Sequence, residues 1–259
     1  MRLLCLSLML CATVAVAAPC PVPKNLAFVV ERKLHRDKPG FTEGLEIHDG
    51  SLWESTGDVF GDSGINRIDL KTGHVRTLLD SGRRYFGEGL TSFGGRLYQM
   101  TYTEHRVFVF DAKLKPLHEL TNPRQGWGLT HDATHLIASD GSSNLFFLSP
   151  DFATQQTLPV LDQDMPVMNL NELEYVDGAV WANVFEHWTV LKISPKTGCV
   201  EAKADITPLR EHMTREERSE IARDDNFVPN GIAWDAASGQ FILTGKYWPM
   251  LFFGRFVEN

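Results

Sequence analysis

Five related segments recur along this chain of 259 residues, and no other feature constrains its fold as strongly. Each copy begins with a short stretch, which contains glycine in four of the five copies, then passes through a turn and enters an apolar strand. Alternating apolar residues and a further Gly or Pro turn then predict additional strands in each copy. The five copies begin within residues 41–46, 86–91, 125–130, 169–174 and 230–233.

The spacing between the copies indicates the architecture. Successive copies start 45, 39, 44 and 59 residues apart, counted from Gly44 to Gly231. Units of about 40–50 residues that hold several short strands are typical of β-propeller blades. We therefore predict an all-β fold, a five-bladed β-propeller of four-stranded antiparallel blades, which forms one domain over residues 19–259.

Two segments fall outside the repeat. An apolar strand at residues 26–34 precedes the first copy, and we expect it to pair with residues 250–256 and close the ring. The longest step between copies contains a helical insertion between blades 4 and 5, over residues 209–223, as one helix or two short ones. Thr214 and Glu217 have capping-box spacing there, and Pro208 suits a first turn. A solvated connector is one interpretation, and a lid over one rim is the other.

The N-terminus has the pattern of an export signal. Arg2 precedes an apolar run over residues 3–16, and Ala15 and Ala17 bracket a small-x-small cleavage site. The run is too short to span a bilayer as a helix. We predict that residues 1–18 are a signal peptide and that the protein is exported, to the periplasm or outside the cell. Cys20 and Cys199 then remain as a pair that permits one disulfide, with two unpaired thiols as the alternative.

Charge and histidine placement disfavour several classes of partner. A net charge of −8 argues against nucleic acid, because such proteins present a basic face to phosphate. His131 and His135 flank a turn, so we expect surface histidines rather than metal ligands. We predict a monomer with no cofactor, no metal and no stable membrane association.

The ring geometry gathers polar and aromatic side chains at one mouth. In a propeller the first strand of every blade lines the central channel, so equivalent positions of the five copies face one another. Such different side chains at equivalent positions indicate a binding site rather than packing. The equivalent positions of the first strands, which are expected at one level of the channel, are Glu43, Glu88, Trp127, Asn171 and Asn230. The ends of the second strands add Tyr102, Phe185 and Lys246.

Glu88 is the strongest catalytic candidate. Gly87 and Gly89 flank it, which we interpret as room for a ligand beside the carboxylate. Glu43 on the same level is expected to raise the pKa of one of the two carboxyls by like-charge repulsion, which favours acid/base work at neutral pH. The other candidates have simpler interpretations too: the aromatics as core, the amides as turn residues and the lysine as a solvated rim charge.

At these residues the chain resembles the glutamine cyclotransferase family of plant and bacterial type. The resemblance covers residues 41–248 in order and without large gaps. The similar stretches are FTEGLE from Phe41, WESTG from Trp53, FGEGLT from Phe86, GWGLT from Gly126, SDGSS from Ser139, LNELEY from Leu170, WANV from Trp181, NGIA from Asn230 and TGKYWP from Thr244.

The resemblance implies a five-bladed propeller that converts the N-terminal glutamine of peptides or proteins into pyroglutamate and releases ammonia. By position, the acid/base of the family falls on Glu88, and its substrate-holding amide and amine fall on Asn171 and Lys246. Its aromatic wall includes Phe41 and Trp127. In this scheme the α-amine attacks its own γ-carboxamide carbon, Glu88 carries a proton to the departing ammonia, and no metal is needed.

Three positions depart from the usual family pattern. Glu43 stands where Gln is usual, and Tyr102 and Phe185 stand where Trp is usual. The aromatic changes keep an apolar wall, whereas Glu43 adds a negative charge. Two other functions remain open: a non-catalytic propeller that binds a peptide N-terminus or a small amine ligand, and a metal-dependent hydrolase of the lactonase kind. The hydrolase would draw its ion ligands from Glu43, Glu88, Asn171 and Asn230.

Overall fold

The computed structural model describes residues 19–58, 61 and 63–259, which form mainly antiparallel β-sheets. After β1 (Lys24–His35), three separate four-stranded sheets follow, and in each of them consecutive strands pair. Their strands are β2 (Thr42–His48), β3 (Ser51–Thr56), β4 (Gly64–Ile68) and β5 (Val75–Asp80); β6 (Gly87–Phe93), β7 (Arg96–Thr101), β8 (Arg106–Asp111) and β9 (Pro116–Thr121); and β10 (Leu129–His131), β11 (Leu136–Ala138), β12 (Asn144–Leu148) and β13 (Thr154–Pro159).

The second half of the chain forms one eight-stranded sheet, after a small hairpin of β14 (Leu161–Asp162) and β15 (Met165–Pro166). The eighth strand of this sheet is β1, and the other seven are β16 (Leu170–Val176), β17 (Ala179–Val184), β18 (Thr189–Ile193), β19 (Val200–Asp205), β20 (Pro229–Asp235), β21 (Gln240–Gly245) and β22 (Met250–Glu258). Their order is β16-β17-β18-β19-β1-β22-β21-β20. The sheet therefore consists of two four-stranded groups, and β1 completes the second of them.

The first strand ties the two ends of the chain together. β1 runs antiparallel to β22, which confirms the predicted pairing of residues 26–34 with the C-terminal segment. Its first residues also pair in parallel with β19, a contact that the sequence did not suggest. A disulfide joins Cys20 to Cys199, immediately before β19, so the pairing that the sequence permitted is formed.

The first strands of the five groups contact one another in a closed circle. β2 contacts β6, β6 contacts β10, β10 contacts β16, β16 contacts β20, and β20 contacts β2. Among the described residues, five apolar clusters fill the spaces between each group and the next. Pairs from these clusters are Trp53 with Leu97, Tyr98 with Leu136, Phe147 with Val180, Val190 with Leu243, and Leu52 with Ile242.

The predicted insertion between β19 and β20 forms two short helices, a 3-10 helix at Thr207–His212 and α1 at Arg215–Ile221. The capping box is present: the Glu217 amide donates to Thr214 Oγ1 at 3.1 Å, and the Thr214 amide donates to Glu217 Oε2 at 2.6 Å. No helix within the described ranges is both long and apolar enough to cross a membrane. The predicted signal peptide, residues 1–18, lies outside the described residues.

Candidate active site

A cavity of about 240 Å³ lies where the inner strands begin and the second strands of the groups end, as the superposed repeats predicted. Eight of the nine predicted side chains line the cavity: Phe41, Glu43, Glu88, Tyr102, Trp127, Asn171, Phe185 and Lys246. The ninth candidate, Asn230, is not in the wall. Two side chains that were not predicted, Phe86 and Asn226, also line the cavity.

Glu88 lies on β6 with only 5% of its surface exposed. Burial raises the pKa of its carboxyl well above the ordinary value, and the nearby carboxyl of Glu43 raises it further, while Lys246 opposes the rise. No hydrogen bond to this carboxyl is present within the described part of the chain. A buried carboxyl with a raised pKa and no internal partner retains its hydrogen-bonding capacity for a ligand, and its raised pKa suits general acid/base chemistry.

The glycines beside Glu88 serve a different purpose from the one that the sequence suggested. A Cβ at Gly87 would lie 2.5 Å from the carbonyl oxygen of Thr56, and a Cβ at Gly89 would lie 2.4 Å from the amide nitrogen of Leu129. Side chains at these positions would therefore separate neighbouring strands. The glycines allow close backbone packing, which holds Glu88 in place, and they do not open space for a ligand.

Glu43 and Lys246 form a buried ion pair in the cavity wall. Lys246 Nζ donates to Glu43 Oε1 at 2.7 Å, and Asn230 Nδ2 donates to Glu43 Oε2 at 2.9 Å. Burial raises the pKa of Glu43 above its usual value, although the charge of Lys246 lowers it. A lysine ammonium has three donors, so the contact with Glu43 leaves donor capacity for a ligand.

The two predicted amides have different positions. Asn171, on β16, presents its side chain to the cavity, and its backbone carbonyl accepts a hydrogen bond from Ser139 Oγ at 2.7 Å. Asn230 is fully buried behind Glu43 and donates to the Thr42 carbonyl oxygen at 2.9 Å. Asn230 therefore positions Glu43 and does not line the cavity, which corrects its prediction as a substrate-binding residue.

Aromatic rings complete the wall, and their partial exposure to the cavity excludes the interpretation as ordinary core. Phe41 packs edge-on against Phe86 with ring centres 5.9 Å apart, and Trp127 packs edge-on against Phe185 at 5.6 Å. Lys246 Nζ lies 4.5 Å from the ring centre of Phe41 and 5.0 Å from that of Phe185. The faces of such rings attract cations, so the wall suits an amine as well as an apolar group.

The sequence did not assign a role to Phe86 or Asn226. Phe86 lies within the repeat motif next to Gly87, and its amide donates to Glu104 Oε1 at 2.8 Å. Asn226 follows α1, where no repeat exists for comparison, so no sequence signal placed it near Glu88. Its position shows that the insertion between β19 and β20 reaches the cavity and is more than a solvated connector.

Further carboxyls lie on the inner strands outside this cavity: Glu172 is fully buried, whereas Glu46 and Glu174 line a separate cavity. Glu172 stands where other copies have glycine, and it accepts hydrogen bonds from the amides of Leu45 at 3.1 Å and Ile232 at 2.7 Å. Burial raises the pKa of Glu172 and Glu174 well above the ordinary value, and it raises the pKa of Glu46 to about 7. Within the described ranges, no three His, Cys, Asp or Glu side chains are grouped to hold a metal ion.

Comparison with known proteins agrees with this geometry. Residues 3–256 match the family model described as glutamine cyclotransferase. The chain belongs to this family. A glutaminyl-peptide cyclotransferase from Arabidopsis thaliana is 36% identical over 228 residues, which cover 83% of this chain and 67% of the relative.

Solved structures give the same relationship. The crystal structure of Myxococcus xanthus glutaminyl cyclase matches with a TM-score of 0.82 at 31% identity, and the match covers 92% of this chain and 99% of that one. A streptogramin B lyase structure matches with a TM-score of 0.52 at 11% identity, over 90% of this chain and 98% of that one. The lyase is similar in fold alone.

The three departures from the usual pattern of the glutamine cyclotransferases all lie in the cavity wall. Tyr102 and Phe185 keep the wall aromatic, since Tyr102 packs on Phe86 with ring centres 5.8 Å apart and Phe185 packs on Trp127. Glu43 changes the electrostatics more, because it pairs with Lys246 and raises the pKa of Glu88.

Proposed function

We propose that this protein is a glutaminyl-peptide cyclotransferase, which converts the N-terminal glutamine of a peptide or protein into pyroglutamate and releases ammonia. The observation that carries the proposal is the carboxyl of Glu88, which is buried at the cavity and has no hydrogen-bond partner within the described part of the chain. Family membership and the activity named for the Arabidopsis and Myxococcus relatives support the assignment.

The cavity has the size and lining that one glutamine residue requires. At about 240 Å³ it is smaller than the roughly 300–1,000 Å³ of pockets that enclose drug-sized ligands, so it suits one residue rather than a peptide. The rings of Phe41 and Trp127 offer an apolar wall to the side-chain methylenes. Asn171 and Lys246 offer N–H donors to the carboxamide oxygen, and Glu88 offers an acceptor to the α-amine.

The reaction needs one group that moves a proton between two nitrogens. The α-amine nitrogen attacks the γ-carboxamide carbon and forms the ring C–N bond, while the Glu88 carboxylate accepts a proton from this amine. The bond from the same carbon to the original amide nitrogen then breaks, and Glu88 returns the proton to that nitrogen, which leaves as ammonia. Glu88 thus ends each turnover in its starting state.

Three effects supply the acceleration. The attack is intramolecular, so a cavity that holds the folded conformer of glutamine increases the rate by positioning the amine at the carbon. Proton transfer by a placed carboxylate contributes about 10²–10⁴-fold. Asn171 and Lys246 would stabilise the negative oxygen of the tetrahedral intermediate, because their side chains are largely buried and face the cavity.

We also propose that the five groups of strands are the blades of a five-bladed propeller that spans residues 19–259 as one domain. The circle of inner strands and the closing role of β1 support this count.

Residues 1–18 are proposed to be a signal peptide that exports the protein to the periplasm or the exterior. The disulfide between Cys20 and Cys199 supports an oxidising compartment. We further propose that the enzyme acts as a monomer on peptide substrates, without a cofactor or stable membrane association.

Ammonia release from a Gln-initiated peptide, measured with wild type and Glu88→Gln, tests the proposal. The variant keeps the shape of the side chain but cannot accept a proton, so we expect kcat to fall by about 10²–10⁴-fold with little change in KM. Glu46→Gln is a matched control, because Glu46 is also a buried carboxyl of an inner strand but lies outside the cavity. It should retain near-normal turnover.

Each other outcome points to a different acid/base residue or to a different function. Full activity of Glu88→Gln would show that Glu88 is not the acid/base. Loss of wild-type activity on addition of a chelator would favour a metal-dependent enzyme. Failure of folded wild-type protein to release ammonia would favour a non-catalytic protein that binds a peptide N-terminus.

A further inference from the structure

A second and larger cavity adjoins the one that holds Glu88. Its volume is about 740 Å³, and Phe41, Phe86 and Asn226 belong to the walls of both cavities. Phe227, which follows α1, and Tyr247, next to Lys246, also line the larger cavity. The two spaces therefore share a boundary, and the larger one lies between the ring and the helical insertion. We call the larger space the outer groove.

A continuous row of aromatic rings leads from the small cavity along the outer groove. Ring centres are 5.9 Å apart between Phe86 and Phe41, 5.3 Å apart between Phe41 and Tyr247, and 5.0 Å apart between Tyr247 and Phe227. All four rings are only partly buried and line the groove. Partly exposed aromatic rings at such spacing provide an apolar surface on which a ligand side chain can pack.

The size of the two spaces constrains where a peptide substrate must lie. A cavity of about 240 Å³ has room for the glutamine but not for the residues that follow it. The peptide chain leaves the glutamine through its carbonyl group, so it must pass out of this cavity. The outer groove shares wall residues with the cavity and, at about 740 Å³, is large enough for one or two further residues.

We propose that the outer groove binds the residue that follows the N-terminal glutamine and favours a large apolar side chain at that position. This inference rests on the proposed function. Three charged residues at the groove, Glu220, Arg223 and Asp224, are exposed and of both signs, so water and salt screen their effect on the ligand. A fourth, Asp58, is buried and accepts a hydrogen bond from the hydroxyl of Tyr247. The rings of Phe41, Tyr247 and Phe227 therefore dominate the selection.

Turnover of amidated dipeptides tests the groove. We expect kcat/KM for Gln-Phe-NH2 and Gln-Leu-NH2 to exceed that for Gln-Gly-NH2 by at least about fivefold, because the second side chain is partly buried against aromatic rings. The amide cap removes the terminal carboxylate, which would otherwise add a charge near Glu220. Phe227→Ala should reduce the ratio of Gln-Phe-NH2 to Gln-Gly-NH2 towards one, and Phe227→Leu should keep part of it.

Phe93→Ala is the matched control, since Phe93 is also a half-buried ring but lies at the opposite end of β6 from Glu88. It should leave the ratio unchanged. Affinities of the same dipeptides for Glu88→Gln protein are measured in parallel, so that the groove is tested even if wild type releases no ammonia. Absence of ammonia release would refute the proposed function alone. Equal turnover and equal affinity for Gln-Phe-NH2 and Gln-Gly-NH2 would refute the groove alone.

Discussion

The buried ion pair between Lys246 and Glu43 allows a quantitative prediction about stability. Their charged atoms lie 2.7 Å apart, and the two side chains are only 7% and 3% exposed. Removal of one partner leaves an uncompensated buried charge, which typically destabilises a protein by about 3–5 kcal/mol. We expect Lys246→Met to lower the free energy of unfolding by this amount at about pH 8, which corresponds to a fall of roughly 10 °C in Tm for a chain of this size.

The loss of stability should depend on pH, because Glu43 can be neutralised by a proton. Burial already raises the pKa of Glu43, and Lys246 opposes that rise, so removal of the lysine raises the pKa further. A carboxyl with a higher pKa in the folded state binds more protons when folded, so stability falls as pH rises through the range between the unfolded and folded pKa values. Urea unfolding followed by Trp fluorescence should therefore show a smaller loss at about pH 5 than at about pH 8.

The double variant Glu43→Gln/Lys246→Met is the matched control. It removes both charges, so neither is left buried alone, and it should recover most of the stability that Lys246→Met loses. The reasoning is refuted if Lys246→Met loses less than about 1 kcal/mol, as an exposed pair would. It is also refuted if the single and double variants are equally destabilised at both pH values.

Two further predictions concern the acid/base and the closure of the chain. Glu43→Gln should lower the pKa of Glu88, because the carboxyl of Glu43 raises it and Lys246 lowers it, so the acid limb of kcat/KM for a Gln-initiated peptide should move to lower pH. An unchanged pH profile would show that Glu43 does not influence catalysis. Cys199→Ser removes the disulfide to Cys20, which joins residues 179 positions apart in the chain. Loop-closure entropy predicts that the free energy of unfolding falls by up to about 5 kcal/mol. Thermal unfolding should give the same Tm for this variant and for reduced wild type, and a variant Tm equal to that of oxidised wild type would contradict the prediction.

The repeat pattern predicted most of the fold and of the cavity. Because equivalent positions of repeated units face the same axis, aligning the copies was sufficient to bring Glu88, Trp127, Asn171 and Lys246 together without any knowledge of distances. The same reasoning predicted the pairing of β1 with β22, since an unpaired apolar strand at one end of the chain needs a partner at the other.

Features that depend on contacts between different copies were not accessible from the pattern. Asn230 aligns with Glu88, yet it turns towards the Glu43 carboxylate and the Thr42 carbonyl oxygen. Gly89 was interpreted as space for a ligand, although the close backbone of Leu129 is the reason for it. Asn226 lies in a segment that occurs only once, so no comparison of repeats could place it at the cavity.

Mass spectrometry of a Gln-initiated peptide incubated with the purified protein tests the central claim most directly. The account predicts that the peptide loses one molecule of ammonia and that its N-terminus no longer reacts with amine reagents. A peptide that differs only in having an N-terminal glutamate should remain unchanged. An unaltered Gln-initiated peptide, recovered from folded protein with an intact Glu88, would contradict the account.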